Sequence, residues 1–464
     1  MAGKVAALPS GSRLSDFLSF GILARAFPIA RVHEALAATG KASQRQRDLP
    51  AHVVVYYVLA LSLYMQSSSR EVLRCLLEGL QWLNLGAPVS IAGKSGISQA
   101  RSRLGSAVMK HLHDTLVEPV AGARSKGAWY RHWRLVSLDG STLDVADEPV
   151  NDAAFGRPGA SHGETAFPQI RFVSMVTNGT HVLFGSQMSG CTTSEIALGK
   201  TVLAALKPGM LCLADRNFFG YEMWTMAKAT GADLVWRVKR NARLKADEPL
   251  PDGSYISHIY PSQKDRRHNT KGVAVRVVNY SLEGVDGAED IYRLVTTILD
   301  AKAAPAQELA ALYQERWEIE TALDELKTHL RGSRIILRSR TPDLVRQEFY
   351  GLMMLHYAVR GVMHEAAVKA DIDPDRLSFL HPVRVVRRKF LAAGAFPPQE
   401  RAAWHDAILT EILDERLPPR RYRRYKRGVK RKMSSYPIRR KSDPLLAPVD
   451  INSTIRVLSE RHWG

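Results

Sequence analysis

The chain has 464 residues, which at about 100–200 residues per domain means two to four structural units and a core large enough to form without disulfides. Apolar residues at 45% and charged residues at 24% sit near globular averages and exclude wholesale disorder and a fibrous repeat. Lys and Arg number 65 against 46 Asp and Glu, a formal net charge of +19. Residues 420–441 hold 12 of those basic side chains and no acid, leaving 53 against 46 elsewhere. A modestly basic body with one dense basic segment suits a polyanion, and nucleic acid is the usual candidate. Cys75, Cys191 and Cys212 have no CxxC or Cys/His ligand spacing, which fits a reducing cytoplasm and excludes the common structural zinc site. The apolar run from Val53 to Met65 is shorter than the ~20 residues of a membrane helix, so it reads as a buried core helix. We expect a cytoplasmic protein with no membrane span and no secretory leader.

Residues 1–125 read as helical. Pro50 suits a first helical turn, where its missing N–H is harmless, and a second helix runs from Ser69 to Leu77 and stops at Gly79. Gly96–Gly105 forms a third, short helix. Its Gln99, Arg101 and Arg103 are candidate DNA contacts in a helix-turn-helix, the bland alternative being a bundle with a solvated polar face. From about residue 130 strands take over. Trp133 to Leu138 delivers Asp139 at its end, before the turn-like Gly140-Ser141. Gln169–Val176 and His181–Gln187 flank Asn178-Gly179 as a hairpin. Ser194 caps a helix through Leu206, and Met210 to Ala214 is a strand ending at Asp215. A helix from Tyr221 to Ala229 and strands over 233–239, 273–280 and 292–299 follow. Residues 240–290 are polar, hold Gly and Pro, and read as a β-rich insertion. A long helix from Pro305 to Arg331, then helices near 342–369 and 374–392, lead to a Pro- and Arg-rich tail.

The Pro305–Arg331 helix carries an informative pattern. At about 100° per residue, Arg316, Glu320 and Lys327 lie within about 60° of Tyr313, forming one polar stripe. Leu312, Ile319, Leu323, Leu326 and Leu330 make the apolar stripe beside it, and Glu315, Glu318 and Glu325 point to the far side. Glu320 is then the acid at the edge of the core, although Asp324 shares its stripe by angle. Two strand-end aspartates and one helix glutamate form a carboxylate cluster suited to hard divalent cations, and such cations serve phosphodiester cleavage. Asp144 and Asp147 are weaker rivals, because neither ends a strand.

Tyr313-x2-Arg316-x3-Glu320-x6-Lys327 reproduces the YREK signature, and the chain resembles the bacterial IS4-family insertion-sequence transposases with their RNase H-like DDE core. Leu138-Asp139-Gly140-Ser141-Thr142 looks like the family's first-aspartate strand, and Leu213-Ala214-Asp215-Arg216-Asn217-Phe218 like its second. The resemblance implies an α/β fold: an RNase H-like core in two parts (126–239 and 292–369), a β-rich insertion (240–291), a helical N-terminal domain that is a candidate for DNA binding (1–125), and a helical C-terminal region with a basic tail (370–464). It implies a DNA transposase with catalytic and metal-binding Asp139, Asp215 and Glu320, two Mg²⁺ ions (or Mn²⁺), and Tyr313, Arg316 and Lys327 on the DNA backbone. Arg216 and Trp236 join the expected DNA contacts, Trp236 as an aromatic to stack on a displaced base. So do Arg387 and Arg388 on a late helix, and Arg423, Arg424, Lys426, Arg427, Lys430, Arg431 and Lys432 of the tail. The implied partners are double-stranded terminal inverted repeats and target DNA, with a homodimer pairing the two ends at the nucleoid. The rival readings are a metal-dependent nuclease without strand joining and a non-enzymatic, transposase-derived repressor.

Overall fold

A computed structural model describes residues 22–43, 49–83, 93–160, 163–164, 166–285, 288–332, 335–392, 401–418 and 451–459. The chain forms two compact units. The first takes Met1–Ala128, Gly140–Leu198 and Ile319–Leu417; the second takes Trp129–Asp139, Gly199–Glu318 and Pro418–Gly464. Among the described residues no helix is long and apolar enough to cross a membrane.

The second unit is built on a mixed sheet. Its part of the strand Trp133–Asp144 pairs parallel with Met210–Ala214, which pairs parallel with Asp233–Arg237. Beyond that strand every neighbour is antiparallel: Tyr292–Thr296, Val273–Leu282, Tyr255–Ile259 and Glu248–Pro249 in turn. The β-rich segment expected from composition therefore extends the same sheet, with Leu294 paired to Arg237 on one side and Val278 on the other. Ile455–Val457 adds a further antiparallel strand, Tyr280 facing Val457, that the tail's composition gives no hint of.

Side chains alternate across these strands, so one face gathers Trp133, Leu135, Leu211, Leu213, Val235 and Leu294. Against that face pack Ala306, Leu309, Ala310 and Tyr313 of the following helix. The start of that helix is held from the inserted segment. Asp252 accepts the Ala306 N–H at 2.8 Å, and the wholly buried Arg276 donates to Asp252, to Ser254 Oγ at 2.8 Å and to the Ala304 carbonyl at 2.7 Å.

In the first unit, Ala51–Leu63 is buried from His52 onward, as its unbroken apolar run requires, and packs on Pro342–Lys369. The two helices approach closely at Gly351, where a Cβ would stand 2.8 Å from a Val58 methyl. Helix Ser69–Leu83 runs through Gly79 instead of stopping there. One interior Gly costs only about 1 kcal/mol relative to Ala, and packing on Ala51–Leu63 and Leu380–Ala392 outweighs it. The hairpin forms as its Asn-Gly turn predicts, Gln169–Thr177 against Val182–Gly190 with Thr177 facing Val182. Gly179 has φ 75°, and a Cβ there would lie 2.5 Å from the Lys126 carbonyl oxygen, so no larger residue fits.

Candidate active site

Asp139 and Asp215 come together through strand register. Leu138 pairs with Ala214 on parallel strands, so the next residue on each is an aspartate, and the two stand side by side. Asp139 continues the row Trp133, Leu135, Ser137, and Asp215 the row Leu211, Leu213; both rows face the packed helix, and the alternation brings both aspartates out on that face. The first strand does not end at Asp139 as expected. It runs on to Asp144, with Gly140-Ser141 inside it, and what stops at Ala214 is its neighbour.

The helix expected over 305–331 is four segments of different pitch: α-helix Ala306–Leu312, a 3₁₀ turn Tyr313–Arg316, α-helix Trp317–Asp324 and a π-helical stretch Glu325–Leu330. The 3₁₀ turn has a consequence for the site. At three residues per turn, positions i and i+3 eclipse, so Tyr313 and Arg316 stack on one line instead of lying about 60° apart. Both then reach the strand ends. The Tyr313 hydroxyl donates to the Ala214 carbonyl at 3.2 Å, and Arg316 Nη1 lies 3.4 Å from Asp139 Oδ2. Burial above all pushes the Tyr313 phenol far above its usual range, so it stays a neutral donor. The Arg316 guanidinium sits between two rings, 6.0 Å from Tyr313 and 5.2 Å from Trp317.

Glu320 is exposed, on the helix turn that follows Arg316. Lys327 is half-buried and donates to Ser141 Oγ at 2.9 Å. The far side of the helix departs from expectation. Glu318 and Glu325 are buried, not solvent-facing, and form one row with Ala322, so the helix is covered on two sides. Glu325 is engaged by Arg360, His181 and His356, partners remote in sequence that periodicity cannot supply. The rival acids have other work: Asp144 accepts from Gln169, Asp147 pairs with Arg157, and Asp324 accepts from Thr328.

Several expected DNA contacts are corrected. Trp236 is fully buried and meets Trp224 edge to face at 5.3 Å, so its indole belongs to the core and has no face for a base. Arg101 is also buried, bonded to Gln347, Ser339 and the Leu344 carbonyl. Gln99 and Arg103 on the same helix are exposed. Tyr313 is buried at 6% exposure and its hydroxyl is taken, which makes it a support for the second strand's end and not a DNA contact. Arg387 donates to the Leu63 carbonyl at 2.8 Å, whereas Arg388 is exposed and pairs with Glu411. Arg216 is exposed, 3.4 Å from Glu289. The tail residues 423–432 lie outside the described residues. One residue escaped the sequence reading: Trp317, 49% exposed beside Arg316. A large apolar side chain off the helix's apolar stripe was its signal.

Two family models match in chain order: the insertion element 4 transposase N-terminal region over residues 17–114 and the transposase DDE domain over 133–357. The transposase InsG for insertion sequence element IS4 of Escherichia coli (strain K12) is 26% identical over 417 residues, covering 88% of this chain and 91% of that protein. The putative transposase InsZ of the same organism is 24% identical over 46% of this chain and 70% of its own. Among solved structures, a piggyBac transposase synaptic complex with hairpin DNA aligns over 88% of this chain and 86% of that one, at 10% identity and a TM-score of 0.40, a likeness too loose to argue from. With the N-terminal and DDE regions both matched and the α/β sheet carrying two adjacent aspartates, the chain belongs to the IS4 family of DDE transposases, enzymes that cut and rejoin DNA with divalent metal.

Proposed function

We propose that Asp139, Asp215 and Glu320 are the catalytic triad and together hold two Mg²⁺ ions, with Mn²⁺ as a substitute. The observation that carries this reading is the Leu138–Ala214 pairing, after which the next residue on each of two neighbouring parallel strands is an aspartate. That donor set fits a hard divalent cation: oxygen ligands only, whose mutual repulsion a cation relieves. Bound there, the ions would activate the attacking oxygen and stabilise the leaving one. The protein's own groups fix the frame. Tyr313 ties down the Ala214 carbonyl and so the root of Asp215, while Arg316 offsets the charge of Asp139 until a DNA phosphate takes up its donors. Asp139→Asn and Asp215→Asn should each stop Mg²⁺-dependent nicking of transposon-end DNA while binding persists; nicking by either variant ends the triad reading. A joining assay on a pre-cleaved end separates a transposase from a bare nuclease.

The substrates in this reading are the terminal inverted repeats and the target duplex, and two protomers pair the two ends so that both are cut in register. Residues 1–125 and the basic tail provide DNA affinity outside the core. Deleting 420–441 should weaken binding and flatten its salt dependence, since fewer counterions are released. An unchanged salt slope would take the tail out of the interface.

One active site must cut two antiparallel strands at each end. The freed 3′-OH attacking the opposite strand solves this by forming a DNA hairpin, which requires a base to leave the stack and its phosphates to be held. With Trp236 buried, the aromatic placed to receive such a base is Trp317, beside Arg316. Purified protein with Mg²⁺ and end DNA should give one strand of about twice the length on a denaturing gel, a product that Trp317→Ala reduces more than it reduces the first nick. Double-strand cleavage with no such strand at any time would exclude the hairpin route.

A further inference from the structure

Arg331 follows Lys327 by four residues, just past the π-helical stretch Glu325–Leu330. It is only 7% exposed, yet among the described residues its guanidinium makes a single hydrogen bond, from Nε to the Lys327 carbonyl at 3.3 Å. That bond ties it to its own helix and leaves both terminal nitrogens without an acceptor among the described residues. Asp144 acts on it only through space and is itself engaged by Gln169 Nε2 at 2.7 Å. Lys327 is no better compensated. Its ammonium is half-buried, its hydrogen-bond acceptor is the neutral Ser141 hydroxyl, and burial, then the Arg331 charge, hold it below the usual lysine range.

Two cations four residues apart thus share the distant field of Asp144, and Asp324 acts through space on Lys327 alone. Like charges at that spacing on a helix repel, and a buried charge is ordinarily paired. A guanidinium with a buried stem and a fork that meets no protein acceptor is the donor geometry that takes two oxygens of a phosphate. Lys327 belongs to the signature; Arg331 does not.

We propose that Arg331 is a phosphate-binding residue, which with Lys327 forms a two-cation seat for one backbone phosphate of DNA. The choice of DNA as the polyanion rests on the transposase reading, but the seat is independent of which acids form the triad.

Arg331→Met keeps the length and apolar bulk of the side chain and removes the charge. Two measurements on the full chain test the seat: the thermal midpoint of the free protein, and the affinity for a labelled duplex bearing the inverted repeat that flanks its gene, across a salt series. The midpoint should hold or rise, because an uncompensated charge has gone. Affinity should fall about tenfold, the scale of one charge-assisted hydrogen-bonded contact. The slope of log affinity against log salt should become shallower by about 0.9, one phosphate's worth. Arg331→Lys, which keeps a cation without the fork, should retain the slope and lose less affinity. An unchanged slope in Arg331→Met overturns the proposal. So does a lowered midpoint, since the charge would then have a partner in the free protein, and if neither variant folds the same conclusion holds. Glu320→Gln run alongside keeps the two readings apart, because cleavage surviving there sinks the triad without moving the Arg331 slope.

Discussion

Glu320→Gln should reduce Mg²⁺-dependent cleavage by about 10⁴-fold or more, the scale seen when one member of a cooperating catalytic set is removed. DNA affinity and stability should stay near wild type. The side chain is exposed, and an exposed substitution that keeps shape usually changes stability by less than about 0.5 kcal/mol. What changes is the ligand: a carboxylate becomes an amide with one neutral oxygen, a poor partner for a small hard cation that needs charge neutralised. Asp324→Asn is the proper control. It lies on the same helix and is exposed too, but its carboxylate accepts the Thr328 hydroxyl within the helix. Cleavage lost in Asp324→Asn and kept in Glu320→Gln would name Asp324 as the third acid. Nicking of end DNA and a gel-shift titration on the same preparations give both readouts.

Much of the second unit was legible in the sequence because local signals and tertiary demands agree there. Met210–Ala214 and Tyr221–Ala229 form where periodicity put them, and Asp139 and Asp215 fall in register because the segments that precede them are apolar and pair parallel. The signature helix was legible in outline only. A uniform turn of about 100° per residue ignores the 3₁₀ turn at Tyr313–Arg316 and the π stretch at Glu325–Leu330, and these decide what each side chain meets. The angles put Tyr313 on the polar stripe and the resemblance made it a DNA contact; the tightened turn sends its hydroxyl into the Ala214 carbonyl instead. Trp236 shows a different limit. Strand periodicity cannot tell an aromatic that ends in a core from one that faces a ligand, and here Trp224, from the preceding helix, closes over it. Arg101 shows the same on a polar helix face, where Gln347 and Ser339 arrive from more than 200 positions away.

The largest stability effect is expected at Glu325, whose burial was invisible for the same reason. Burial alone would raise its pKa, but the Arg360 guanidinium and His181 outweigh this and hold the carboxyl well below its usual range. His181 is caught likewise: burial opposes its charge, yet Asp375 and Glu325 push its pKa up to about 10 even against the repulsion of Arg360. His356, in the same cluster, is lowered chiefly by burial. Arg360→Ala would strand a buried carboxylate, which costs about 3–5 kcal/mol, and on a unit of this size that is a fall of roughly 6–10 °C in the thermal midpoint. The pairing predicts a further sign. Replacing both partners, Glu325→Gln with Arg360→Met, should cost less than Arg360→Ala alone, because no charge is left uncompensated. The pH dependence follows from the two shifts. The depressed Glu325 contributes stability above its unfolded pKa of about 4.3, lost as pH falls through the folded value; the raised His181 contributes fully below about 6.5, and this is lost as pH climbs toward about 10. The neutral burial of His356 works the other way, favouring the fold above about 6.5 and opposing it below. Between pH 7 and 10 the wild type should therefore lose thermal stability relative to His181→Gln, which no longer carries that proton. A constant difference between the two proteins over this range would mean that His181 is neutral in the cluster and that Arg360 alone balances Glu325.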